Sequence, residues 1–223
     1  MKTMNDFLSV LQKNSGVLWK AALEHMQLSF SAVMVGIVIA VPLGIILTRN
    51  LKIGKRVLAV LGILQTVPSM VMFGLLLPAF GIGKLTARIV LVVYSILPIL
   101  RNTYTGILEV PQDLTEAATG MGMDRFQVLF RVKLPVALPV IFAGIRLSSV
   151  YIISWATVAA IIGGGGLGDI IYMGLSRYNH AMVLLGAIPA SLLAIASSYI
   201  LGKLSIWVTP KGIRRGGNGR TCA

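Results

Sequence analysis

Five stretches of mostly apolar residues, at about 28–48, 57–80, 87–108, 136–162 and 181–207, constrain this 223-residue chain more than any other feature. A helix needs roughly 20 such residues to cross a bilayer. Within lipid every backbone polar group must be satisfied internally. The pattern therefore predicts an all-α integral membrane protein with about five transmembrane helices. Composition agrees: 56% of residues are hydrophobic, mean hydropathy is +0.86, and only 12% are charged, against about 25% in soluble domains. The span boundaries are least distinct around 102–109 and 163–167.

The expected organisation is one transmembrane domain, 28–208, between an N-terminal segment, 1–27, and a basic tail, 209–223. Residues 1–27 lack a short apolar run followed by a small-residue cleavage site, so they do not read as a signal peptide. The spacing of Phe7, Leu8, Leu11, Leu18 and Leu23 fits an amphipathic helix at the membrane interface. A partly ordered leader fits equally well.

Lysine and arginine set the expected orientation. Arg49, Lys52, Lys55 and Arg56, then Arg101, Arg125, Arg131 and Lys133, then Lys211, Arg214, Arg215 and Arg220 fall on one side. Lys2, Lys13, Lys20, Lys84, Arg88 and Arg177 fall on the other, so the division is twelve to six. The richer side is cytoplasmic by the positive-inside rule. The N-terminus is then outside, and the C-terminus and the 109–135 loop are inside.

This bias also accounts for much of the net charge of +13. The basic residues are scattered among apolar runs without a nucleic-acid motif, so no nucleic-acid partner is expected. The single cysteine, Cys222, excludes an intrachain disulfide, and His25 and His180 lack ligand spacing, so no metal site is expected. His180 and Lys84 read as solvated edge residues.

Pro42, Pro68, Pro78, Pro98, Pro135, Pro139 and Pro189 lie in the spans or at their entrances. Each removes a backbone donor and favours a kink, which suits a gate but also occurs in static membrane proteins. Gly186, Ala190, Ala194, Ser198 and Gly202 recur every four residues along the last span. They define a face for close helix packing, within the subunit or against a second one. No internal repeat is evident, so a pseudo-symmetric pathway would need a second chain.

The 109–135 loop has its own pattern. Pro111 suits a helix start, Gln112–Thr119 reads as a short helix, and Gly120 and Gly122 break it. Asp124 and Gln127 have capping-box spacing, so a second helix can begin there, and Pro135 marks the entrance to the fourth span. The expected product is a helix–turn–helix lying flat on the membrane face. Glu116, Ala117, Ala118 and Gly122, followed by Val132, Leu134 and Pro135, resemble the EAA signature of ABC-importer permeases, with Val132 where that family usually has Ile. The resemblance implies a type I ABC-importer permease (MetI-like) architecture in the bacterial plasma (inner) membrane. It makes Glu116, Ala117, Ala118, Gly120, Gly122, Leu134 and Pro135 the docking residues for a cytoplasmic ABC ATPase dimer. ATP and Mg would be bound by those ATPase subunits, with no cofactor and no ATPase motif in this chain.

A second segment, Gly144–Leu175, contains Gly163–Asp169 in the run GGGGLGD and is similar to permeases for glycine betaine, carnitine and choline. The glycines end a helix and permit close backbone packing. The absence of a following Lys-Ser/Thr separates the run from a phosphate-binding loop. Gly163, Gly164, Gly165 and Gly166, with Tyr151 and Trp155, are candidate gate or pathway residues. Tyr94, Tyr151, Trp155 and Tyr172 offer faces suited to a quaternary ammonium group, though packing alone explains aromatics in spans. Arg146, within the fourth span, must face protein, water or the interface.

The implied function is the permease subunit of an ATP-driven importer of compatible solutes. Its implied partners are a second permease subunit, identical or homologous, and an extracytoplasmic solute-binding protein. Methionine or another small metabolite is the alternative cargo. A proton-coupled carrier or channel would place acidic residues within the spans, whereas Glu109, Asp113, Glu116 and Asp124 sit in or beside one loop.

Overall fold

Long apolar segments punctuated by short polar turns give helices throughout the computed structural model, which describes residues 2–209, with side chains from Leu11 onward except 13–14. Phe7 and Leu8, as side chains, and the tail with Cys222 and its four basic residues lie outside the described residues. The elements are α1 (Lys2–Leu47), α2 (Leu51–Thr66), α3 (Ser69–Phe80), α4 (Lys84–Leu108), α5 (Gln112–Gly120) and α6 (Arg125–Gln127). A π-helical turn (Val128–Lys133), α7 (Leu134–Val158), a 3-10 turn (Ala159–Ile162), α8 (Leu167–Ser176) and α9 (His180–Val208) complete the chain. Among the described residues, four continuous helical segments are long and apolar enough to span a bilayer, and the bent pair α2–α3 makes up to five.

α4 is the centre of the bundle, with α1 and α7 packed along it. Its buried positions include Ala87, Val90, Leu91, Tyr94, Ile99 and Leu100. In lipid, where burial gives no hydrophobic driving force between helices, small residues and interhelical hydrogen bonds hold the bundle together. Ser148 on α7 donates to the carbonyl of Ser95, and the Ser95 hydroxyl, bonded at 2.7 Å to Val92 in its own helix, lies 3.3 Å from the carbonyl of Ala32 on α1. Gly144 brings α7 onto α4: a Cβ there would lie 2.5 Å from Cβ of Asn102 and 2.8 Å from the carbonyl oxygen of Pro98.

Three expectations change. α1 runs unbroken from Lys2 to Leu47, so no helix break marks the boundary expected at residue 27. The polar residues that interrupt the run are paired internally: Glu24 with Lys84 at 3.2 Å, and His25 Nε2 with the carbonyl of Ile153 at 3.0 Å. The second span, expected as one helix over 57–80, bends by 94° between α2 and α3. Pro68 disfavours helical dihedrals in the residue before it, and Val67 is extended (φ −64°, ψ 126°).

The third change lies at the root of the fourth span. Pro135 does not separate two helices; the helical path is continuous from Arg125 to Ile162. Its ring has no N–H and crowds the carbonyl four residues back. The chain responds by widening into the π turn, where the N–H of Leu134 donates to Leu129, five residues back. The 87–108 and 181–207 spans match α4 and α9 closely, while α8 was not anticipated as a separate helix.

Candidate functional site

At one end of the bundle, α5 and α6 form a hook between α4 and α7. α5 springs from Pro111 (φ −53°, ψ 135°). Glu116 accepts from Gln112 Nε2 at 2.7 Å, one turn earlier, so its carboxylate is steered along the exposed face of α5. The two alanines face differently: Ala118 is buried and Ala117 is exposed.

The glycine four residues after Ala118 has a specific geometric role. The N–H of Met123 donates to Ala118 and that of Gly122 to Thr119. Together these two bonds make a Schellman motif, whose C′ residue adopts the left-handed conformation. Gly122 has φ +84°. Gly120, expected to break the helix with it, is instead the last helical residue. Asp124 then accepts from the N–H groups of Phe126 and Gln127, both at 2.8 Å, while Gln127 Oε1 accepts from the N–H of Asp124. The expected capping box is therefore complete, but the helix it starts is the base of the fourth span. Leu134 and Pro135 are half-buried at that base.

The hook and the end of α1 surround an open groove of about 1150 Å³, whose lining includes Thr48, Arg49, Glu116, Thr119, Phe126 and Lys133. The Arg49 guanidinium lies 5.8 Å from the centre of the Phe126 ring, within cation–π range. Leu114, Met121, Phe126 and Phe130 are exposed around the hook. Exposed apolar side chains beside a rigid, capped helix provide what a docking element requires: a fixed shape and unburied contact area.

The opposite end holds the glycine run. Gly163, Gly165 and Gly166 have φ of 75°, 80° and 81°. Gly164, Gly165 and Gly166 are buried, and only Gly163 is exposed. A Cβ on Gly164 would lie 2.7 Å from the carbonyl oxygen of Ala159, and one on Gly166 would lie 3.0 Å from His25. The run thus lets the chain turn tightly from α7 into α8 against α1. Nearby, Asp169 has its carboxyl pushed above the usual range by burial and by the Glu24 carboxylate, with Lys84 opposing.

Between the two ends, three of the four singled-out aromatics meet. Tyr94 packs edge-on against Trp155, with ring centres 4.6 Å apart, and Trp155 stacks on Tyr151 at 5.6 Å. Tyr94 and Trp155 are inward, while Tyr151 presents an exposed ring on α7. Tyr172, on α8, does not pair with them among the described residues. The Tyr94 hydroxyl donates to the carbonyl of Val67 at the α2–α3 bend. Sequence reasoning missed that bond, although a tyrosine in a span and a proline in a neighbouring span were its separate signals.

Arg146 reaches across to α9, where its Nε donates to Ser198 Oγ at 2.6 Å. The small-residue face of α9 is used within the subunit at both ends: Gly186 packs on Leu167 and Ile171 of α8, and Gly202 lies against the Arg146 guanidinium.

Comparison with known proteins fits this geometry. Residues 32–209 match the family of binding-protein-dependent transport system inner membrane components. The chain is 45% identical to the carnitine transport permease protein OpuCB of Listeria monocytogenes, covering 97% of this chain and 99% of that one. It is 45% identical to a glycine betaine/carnitine/choline transport system permease protein of Bacillus subtilis, covering 95% and 97%. It is 41% identical to the osmoprotectant import permease protein OsmW of Salmonella typhimurium, covering 94% and 100%. The fold resembles a chain of the inward-facing MetNI methionine ABC transporter, with a TM-score of 0.80 at 23% identity over 89% of this chain and 99% of that one.

Proposed function

The chain belongs to the binding-protein-dependent transport system inner membrane components, a family of multi-pass membrane proteins, and we propose that it is the permease subunit of an ABC importer for quaternary ammonium compatible solutes. The cargo class is glycine betaine, carnitine or choline. The observation that carries this reading is near full-length likeness, at 41–45% identity, to permeases named for these solutes. The likeness to a methionine transporter lies below 25% identity and speaks only to fold. Methionine or another small metabolite therefore has less support as cargo.

The chain's own part is mechanical. A partner ATPase dimer binds and hydrolyses ATP with Mg. Glu116, Ala117, Ala118, Gly120 and Gly122 present α5 to that dimer, and Leu134 and Pro135 join the hook to the fourth span. Support comes from the continuous helical path from Arg125 to Ile162, along which a displacement at the hook is carried into the bundle. A second permease subunit, identical or homologous, completes the pathway, and an extracytoplasmic binding protein delivers cargo. The exposed Tyr151 ring, backed by Trp155, lines that pathway and offers an aromatic face to a quaternary ammonium group. Gly163–Gly166 shape its delivery end by fixing the α7–α8 turn.

The test is ATP-dependent uptake of labelled glycine betaine, carnitine and choline by the chain reconstituted with its ATPase, permease partner and binding protein. Uptake abolished by Glu116→Lys in a chain that still inserts supports the reading. ATP hydrolysis stimulated by the binding protein without uptake of any of the three solutes refutes the cargo. Failure to assemble with any ABC ATPase refutes the function.

A further inference from the structure

We propose that the groove between α7 and α9 is a binding site for the phosphate of an anionic phospholipid, held by Arg146 and Lys203. The groove has a volume of about 680 Å³ and is open at the surface of the bundle. Its walls are apolar, including Phe142, Leu147, Val150 and Ile206, and the two cations lie on the same groove. Both are exposed. Neither has a carboxylate partner among the described residues, where the ion pair is Lys84 with Glu24.

A cation within a span is costly unless something answers it. Here the guanidinium is fixed but not neutralised: Nε donates to Ser198, and Nη1 points along α9 toward Gly202. Lys203 lies one residue beyond Gly202, and its ammonium turns back over the Tyr199 ring, 5.4 Å from its centre, toward the level of Ser198. Lys203 stands five residues from the end of α9 at Val208, about 7–8 Å along the helix axis. The two cations therefore lead from within the span toward the membrane surface on the side of the hook. A phosphate at that depth meets both, while its acyl chains lie along the apolar walls. Basic pockets between transmembrane helices are the recurrent form of such sites.

A second copy of the chain would not supply the missing charge. Its seven acidic residues are Asp6 and Glu24 in the first half of α1, Glu109, Asp113, Glu116 and Asp124 in or beside the hook, and Asp169 in α8. Glu24 lies in α1 at the end away from the hook, where it is paired with Lys84, and the others lie in the hook, in α8 or at the start of α1, so an identical copy presents no carboxylate at the depth of Arg146. A soluble anion is disfavoured by the apolar walls. The inference needs α7 and α9 to cross a bilayer with this groove facing lipid and not the second permease subunit, and its failure would leave the transport reading untouched.

The test uses the full chain purified with its partners and studied by native mass spectrometry after exchange into mixed phosphatidylglycerol and phosphatidylcholine. The expected result is preferential retention of phosphatidylglycerol that falls at least several-fold in Arg146→Gln/Lys203→Gln and is partly kept in Arg146→Lys. Lys203→Gln alone, at a surface position, guards against misfolding of the double variant and should also reduce retention. Equal retention of both lipids, or an unchanged preference in a folded Lys203→Gln and double variant, would overturn the site. So would a disulfide between copies of an Ala143→Cys, Cys222→Ser variant in membranes, which would put protein in the groove.

Discussion

The hydroxyl of Tyr94 on α4 donates to the carbonyl of Val67 across 2.5 Å, at the 94° bend between α2 and α3. Val67 precedes a proline, so its carbonyl lies where the helical ladder stops. A carbonyl released inside a membrane bundle must find another donor, and Tyr94 provides it. The same ring then packs edge-on against Trp155, 4.6 Å between centres. The bend is thereby tied to α7 through one side chain.

Replacing Tyr94 by Phe keeps the ring and removes the donor. The orphaned carbonyl should lower stability by about 1–3 kcal/mol. The expected outcome is a lower unfolding temperature in detergent and slower uptake, with assembly onto the ATPase retained. A variant indistinguishable from wild type in both unfolding and uptake would show that the bend is held by other contacts.

Gly122 and Gly120 lie two residues apart in the hook and should respond oppositely to alanine. A Cβ on either would meet nothing within 4 Å, so sterics do not separate them. The backbone does: Gly122 has φ +84°, and Gly120 is helical. A non-glycine residue in the left-handed region costs roughly 1–2 kcal/mol, whereas alanine within a helix gains about 1 kcal/mol over glycine. Gly122→Ala should weaken co-purification with the ATPase, Gly122→Asn should restore part of it, and Gly120→Ala should leave it intact or improved. The reverse order would remove the Schellman geometry from the account of docking.

Much of this organisation was legible in the chain because a bilayer imposes a length on each apolar run. α4 and α9 appear nearly where their hydropathy places them. The capping box at Asp124 was also readable, since its spacing is local. What hid from the sequence depended on partners distant along the chain. Glu24 and His25 looked like the end of a span because their partners, Lys84 and Ile153, are 60 and 128 residues away. Pro135 looked like a helix start because a π turn leaves no residue signature of its own. The glycine run was read as ending a helix and permitting close packing, and Gly164 and Gly166 do pack closely, but on the end of α7 and on His25 of α1, partners the run itself does not name.

Asp169 gives a pH dependence with a definite sign. Although the residue keeps an exposed surface, partial desolvation, then Glu24, raise its pKa in the folded protein, and Lys84 opposes them. The folded state therefore binds this proton more tightly than the unfolded chain does, and the associated stability is present at low pH and lost as pH rises through the folded pKa. Asp169→Asn should raise the unfolding temperature relative to wild type near neutral pH. The difference should shrink as pH falls and vanish by about pH 3, below the ordinary aspartate pKa of about 3.9, where the carboxyl is protonated in both states. A difference that does not change with pH would mean the substitution acts through something other than the charge.

Tyr151 and Trp155 separate a pathway role from packing. Trp155 is wedged between two rings, so Trp155→Ala should open a cavity costing about 3–5 kcal/mol and reduce folded protein. Tyr151 is stacked on one side only and 41% exposed, so Tyr151→Leu should fold. If its open face meets a quaternary ammonium group in transit, losing the aromatic surface removes an attraction of about 0.5–2 kcal/mol, a change of roughly two- to thirty-fold. That loss should appear in the uptake rate of choline and glycine betaine at saturating binding protein, because delivery is then not limiting. Tyr151→Phe keeps the face and should transport normally. Loss in both variants would point to the hydroxyl, and loss in neither would leave Tyr151 outside the pathway.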